Sequence, residues 1–125
     1  VHDACNTLKS EGYHPDIIIC HGRWGAGTFL KDAYPAVPLL LYSEFFSTAQ
    51  NADPCLEPGE SLSEGKALFY RLANASNLMS LEAADHILTP TEFQKRTHPK
   101  VFHDKMSGIF DEVDTDLVCP GDVPR

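Results

Sequence analysis

Three short stretches of this chain carry residue types that could do chemistry. The first is His21, Gly22, Arg23, Trp24, Gly25, Ala26 and Gly27, which puts an imidazole, a guanidinium, an indole and three glycines into seven residues. Glycines let backbone amides approach a ligand, and a helix that follows would turn its positive end toward an anion. A tryptophan beside glycines also offers a flat apolar face that matches the C–H groups of a sugar ring. The same residues are equally compatible with a tight strand-to-helix turn plugged by Trp24. Their glycine spacing fits neither the dinucleotide fingerprint nor the phosphate loop. With no serine at its centre, the stretch is not a nucleophile elbow.

The second stretch is Tyr42, Ser43, Glu44, Phe45 and Phe46. A carboxylate between apolar residues is costly unless it has a partner or a task. An exposed turn, or a salt bridge from Glu44 to Arg23, would satisfy it as well as catalysis would. The third is the acidic run Asp111, Glu112 and Asp114, which reads either as a cation-binding cluster or as a solvated turn. Six histidines and four cysteines raise the question of a metal. Cys20 and His21 are adjacent on a strand, so their side chains point to opposite faces. No HxxxH or CxxC pair is present to assemble a zinc site, and none is expected. His98 and His103 fall in a polar connector and are expected to be solvated.

The elements that must position these groups alternate. Residues 2–11 make a short amphipathic helix ended by Gly12, and Pro15 leads into a β-branched run at 16–20. Such a run reads as a strand buried on both faces. Residues 28–34 are helical, 39–42 a second strand, and 47–61 an aperiodic stretch broken by Pro54, Pro58 and Gly59. Residues 62–84 form the strongest helix, with Leu68, Leu72, Ala75, Met79 and Ala83 as its core-facing stripe. A third strand at 86–89, a helix from Pro90, a short helical connector at 99–104 and a fourth strand at 106–110 complete the chain. This order predicts an α/β Rossmann-like three-layer fold, a mostly parallel sheet of about four strands with helices on both faces. Ligands of such sheets bind beyond the carboxyl ends of the strands. The loops after Cys20, Tyr42 and Phe110 share that address, so His21, Glu44 and Asp111 should line one hollow.

Composition narrows the function. With 125 residues and 22% charged side chains, the chain is one ordinary globular domain. Its net charge of −8 and scattered basic residues argue against a nucleic-acid partner. No apolar run approaches the roughly 20 residues of a membrane span. Widely separated cysteines favour reduced thiols and a cytoplasmic setting over a disulfide scaffold.

Four segments, in order, resemble a bacterial subgroup of glycosyltransferase family 4. They are His14, Pro15 and Asp16 with His21, Gly22, Trp24, Gly25 and then Phe29, Leu30, Lys31 and Asp32; Pro38, Leu39, Tyr42, Glu44 and Phe45; Leu81 and Asp85 followed by Thr89, Pro90 and Thr91; and Asp111, Val113, Asp114 and Thr115. Together they cover residues 13–120. Two departures stand out. Many relatives carry a histidine after the second strand, where this chain has Tyr42, Ser43 and Glu44. The closing turn has Glu112 where the family usually has glycine.

The resemblance implies the second half of an acceptor-side domain, residues 1–125, from an enzyme whose separate domain binds a nucleotide-sugar donor. It implies sugar transfer with retention of configuration, usually without a metal, to a glycan or lipid-linked acceptor, with the parent enzyme working at a membrane surface. Glu44 is then the candidate catalytic residue, and His21, Gly22, Trp24, Gly25, Tyr42 and Asp111 the candidate substrate contacts. A chain starting at Val1 suggests an excised or processed segment, inactive alone. If earlier strands are missing, a central strand becomes an edge, to be covered by a second copy or by one of the chain's own segments. A non-catalytic α/β binding module is the alternative reading. A hydrolase using His21 and Glu44 as acid and base is a third, and it would need both near one substrate atom.

Overall fold

A computed structural model describes residues 1–51, 62–115 and 117–119 of the chain. Helix α1 (His2–Ser10) precedes strand β1 (Ile18–His21), a 3-10 turn (Arg23–Gly25), helix α2 (Leu30–Ala33) and strand β2 (Leu39–Tyr42). Helix α3 (Glu64–Ala83), strand β3 (His86–Thr89), helix α4 (Glu92–Thr97), a 3-10 segment (Lys100–Lys105) and strand β4 (Met106–Gly108) follow. The four strands form one sheet in the order β1-β2-β3-β4, every neighbouring pair parallel. The expected α/β class and all four strands are therefore present.

Period-two alternation sorts the strand residues onto two faces. Leu39, Leu41, Ile87 and Met106 are buried together with Leu30 of α2 and Leu81 of α3, and Cys5, Ala83 and Phe102 pack on the same cluster. Burial of each large aliphatic side chain contributes about 1.5–3 kcal/mol, so this face holds the sheet and helices together. The opposite face carries Ile19, His21, Leu40, Tyr42, His86 and Leu88. Among the described residues, α2 and α3 cover the Leu39–Leu41 face. A second consequence corrects the expectation that the first strand is buried on both faces. β1 is one of the two outermost described strands, and Ile17 and Ile19 are 51% and 69% exposed.

Side chains fix the helix ends. Ser63 caps α3 by accepting from the Lys66 amide at 3.4 Å, and Thr91 caps α4 by accepting from the Gln94 amide at 3.1 Å. Lys105 Nζ donates to the carbonyls of Glu82 and Ala84 at 2.9 and 2.6 Å, neutralising the negative end of α3. Lys31 and Asp85, both in segments singled out above, meet at 2.9 Å, and Asp85 Oδ2 also accepts the Leu39 amide at 2.7 Å. Those two residues therefore clasp the amino ends of β2 and β3 to α2, away from the carboxyl ends of the strands.

The face of α3 is a correction. Its buried residues are Asn74, Ser80 and Leu81, while Leu68, Leu72 and Met79 are more than half or about half exposed and Ala75 is exposed. Small and polar side chains let the helix approach the turn at 23–27: a Cβ at Gly27 would stand 3.1 Å from Ser80 Cβ and 3.0 Å from Leu41 Cδ1. The periodicity located the helix and its apolar stripe, but Leu68, Leu72, Ala75 and Met79 face outward and of the five only Ala83 packs on the core.

Candidate functional site at the carboxyl ends of β1 and β2

His21 is the last residue of β1, and the chain then leaves the sheet in a tight step. The Gly22 amide donates to the Tyr42 carbonyl at 2.7 Å, and a Cβ at position 22 would meet Leu41 Cγ and the Tyr42 carbonyl at 3.2 Å. Gly22 therefore welds β1 to β2, and its N–H is already taken. Gly25 has φ +69°, which favours glycine, and a Cβ there would stand 3.2 Å from Ser76 Cβ of α3. The expected helix N-terminus facing an anion is not formed at these glycines. A 3-10 turn, Arg23–Gly25, lies among them, and α2 starts only at Leu30 and is four residues long.

His21 and Glu44 come together. His21 Nε2 lies 3.5 Å from Glu44 Oε2, with the side chains 50% and 41% exposed. The Arg23 amide donates to His21 Nδ1 at 3.4 Å, so in the neutral ring the proton sits on Nε2 and faces the carboxylate. Glu44 thus pairs with His21 through Oε2. The Tyr42 ring lies 5.6 Å from the His21 ring, tilted by 46°. Its hydroxyl donates to Asp111 Oδ2, and that hydrogen bond to a carboxylate, helped by desolvation, pushes the phenol up to about 12. The turn after β4 is thereby folded back over β2, and Asp111 arrives with one oxygen already engaged. Asp114 Oδ1 accepts from the Leu117 amide at 3.1 Å, a local turn contact. Among the described residues, no group of three His, Cys, Asp or Glu side chains is placed to hold a metal ion.

The loop bearing Glu44 is pinned from behind by residues that sequence reading passed over. Ser43 donates its amide to the Leu88 carbonyl at 2.8 Å, and its hydroxyl lies 2.8 Å from His98 Nε2. His98 Nδ1 stands 2.9 Å from the Gln94 carbonyl, an acceptor only, so Nδ1 carries the proton and Nε2 accepts from Ser43. The expectation that His98 is solvated is corrected: it is 3% exposed, and burial pushes its pKa below the usual 6.5. The Phe46 amide donates to Thr97 Oγ1 at 3.1 Å, and the Phe45 ring packs 6.2 Å from Phe93. A hydrogen-bonded base under the loop makes Glu44 a fixed group despite its exposure.

The hollow directly between His21 and Glu44 has room for about 10 Å³, the space of one water. Next to it, sharing Arg23, Phe45 and Asn77, opens a cleft of about 290 Å³ walled by Phe69, Tyr70 and Asn74 of α3. Three aromatic rings with amide side chains between them match the alternating apolar and polar faces of a sugar. Phe69, Tyr70 and Asn77 were not among the candidates. The one signal in sequence was an aromatic pair on a helix whose other apolar residues keep helical spacing.

A sheet of four parallel strands with His21, Tyr42, Glu44 and Asp111 gathered at its carboxyl end defines a Rossmann-like α/β protein of the kind that binds ligands at strand ends. Residues 1–118 match the family model described as glycosyl transferase family 4 group, and the chain belongs to that family. Comparison with curated proteins finds no match. No helix among the described residues is long and apolar enough to cross a membrane. Cys5, Cys20 and Cys119 are free thiols, and burial pushes the Cys20 thiol up. Cys55 and the rest of 52–61 lie outside the described residues.

Proposed function

We propose that this chain forms the acceptor side of a retaining glycosyltransferase, with the nucleotide-sugar donor bound by a separate domain and a cytoplasmic setting for the reaction. The observation that carries the reading is the His21–Glu44 pair in the small hollow beside the aromatic cleft, which shares Arg23, Phe45 and Asn77 with it. An acceptor sugar lies against Phe45, Phe69 and Tyr70 with one hydroxyl at Glu44. The hydroxyl oxygen bonds to the donor's anomeric carbon on the face from which the nucleoside diphosphate departs, as retention requires; the broken bond's electron pair leaves with the diphosphate, and the hydroxyl proton passes to the Glu44 carboxylate. His21, with its Nε2 proton on Glu44, orients the carboxylate. Tyr42, whose ring lies beside the His21 ring, is itself held by Asp111.

In the transferase that carries this segment, Glu44→Gln should lower turnover about 100-fold, within the range for a positioned proton acceptor, and leave donor affinity unchanged. A collapse of donor binding would mean that the division of labour between domains is wrong. For the 125-residue chain alone, calorimetric titration with UDP- or GDP-sugars should give no binding heat. Tight donor binding would refute the assignment of nucleotide contacts to another domain.

A further inference from the structure

Helix α3 turns its most apolar stripe away from the sheet. Leu68, Leu72 and Met79 are 60%, 76% and 50% exposed, and Ala75 between them is exposed too. At 100° per residue the four fall within about 60° of arc along a helix about 30 Å long. With Leu78, they leave on the order of 400 Å² of apolar side chain in water, as large as the main patch of a monomer and about half of one partner's share of a standard interface. This surface is separate from the acceptor cleft, which α3 lines with Phe69, Tyr70 and Asn77 on other faces.

Charge decides what covers the stripe. A membrane-surface helix flanks its apolar face with Lys and Arg, whereas this flank holds Glu64, Arg71 and Glu82 on a chain of net charge −8. Those three residues lie within about 20° of one another on the helical wheel, on one side of the stripe. When two copies of such a helix pair antiparallel about a two-fold axis, like flanks meet. The register that sets Arg71 beside Glu82 of the second copy also sets Leu72 against its Met79 and brings Ala75 near the crossing. The same register carries Leu68 of the second copy to a groove of about 700 Å³ beside the carboxyl half of α3, with Leu78, Met79, Ala83 and Phe102 as its apolar wall and Thr28, Lys31, Asp32 and Glu82 as its polar one. Apolar stripe, reciprocal charges and receiving groove then agree on one arrangement.

We propose that α3 is a homodimerisation helix, packing antiparallel on α3 of a second copy through Leu68, Leu72, Ala75 and Met79. Sedimentation equilibrium of the 125-residue chain, from about 1 to 100 μM, should show a reversible dimer. Leu72→Glu should leave only monomer, with unchanged helix content by circular dichroism. Glu82→Arg should weaken the dimer at least tenfold, and the double variant Arg71→Glu, Glu82→Arg should restore it, because the paired swap keeps the reciprocal contact. Monomer at the highest concentration, dimerisation of Leu72→Glu, or no rescue by the swap would each overturn the proposal. So would loss of the dimer in Ile19→Lys, which would move the interface to the sheet edge, or binding of the chain to phosphatidylcholine–phosphatidylserine vesicles in place of self-association.

Discussion

His98 carries no charge it can easily afford. Its ring sits between the Ser43 hydroxyl and the Gln94 carbonyl with Phe46 packed 6.0 Å away. Because burial depresses its folded pKa below 6.5, the folded state binds fewer protons than the unfolded chain between the two values. Stability is therefore full above about pH 6.5 and is lost as the pH falls through the depressed folded value. Urea denaturation from pH 8 to 5 should show this decline, and His98→Asn should flatten it while lowering stability at pH 8. Thr89 offers the opposite case: its hydroxyl is fully buried and finds no hydrogen-bond partner among the described residues. Thr89→Val keeps the shape and removes the orphan, so it should be neutral or stabilising by up to about 1 kcal/mol in the same assay. Glu44 was legible because a carboxylate among Tyr42, Phe45 and Phe46 is conspicuous. His98 was not, because its neighbours Lys95, Arg96 and Lys100 look like a solvated connector and only the tertiary fold tucks the ring under the loop.

At the scale of elements, the Lys31–Asp85–Leu39 clasp and the glycine step carry the predictions. Asp85→Ala would leave the buried Leu39 amide without its acceptor and should cost about 1–3 kcal/mol by denaturation. The Lys31 hydrogen bond, then the Leu39 amide, hold the Asp85 carboxyl below its ordinary 3.8, so this contribution is present above that value and lost as the pH falls through the lowered one. The Asp85 side chain is 53% exposed, and solvent screening keeps the ion-pair part small. Gly27→Ala should destabilise by about 1–3 kcal/mol, since its Cβ would press on Leu41 and Ser80. Strands β2 and β3 were readable from their apolar runs and were bounded where they occur. The orientation of α3 was not, because a helical period gives the axis of amphipathicity but not its sign when the packing partner is a tight turn that accepts Asn74 and Ser80. The turn at 22–27 was readable as a turn, but not that Gly22, Gly25 and Gly27 lie tight against Leu41, Tyr42, Ser76 and Ser80, which only the tertiary fold brings there.

At the scale of the whole molecule, β1 leaves one side of the sheet without a hydrogen-bonded neighbour among the described strands, and Ile17 and Ile19 stand exposed on it. An unpaired parallel edge of this kind templates aggregation. Ile19→Lys should lower turbidity on heating while shifting the unfolding free energy by no more than about 0.5 kcal/mol, as expected of an exposed position.

The strand order has a bearing on how the chain comes into being. Each of β2, β3 and β4 hydrogen-bonds the described strand just before it in the chain. A nascent chain leaving the ribosome can lay down the sheet in the order it is translated, closing only the loop it has just made. Among the described strands, growth of this sort moves one sheet edge forward with each new strand while the β1 edge stays where it was laid.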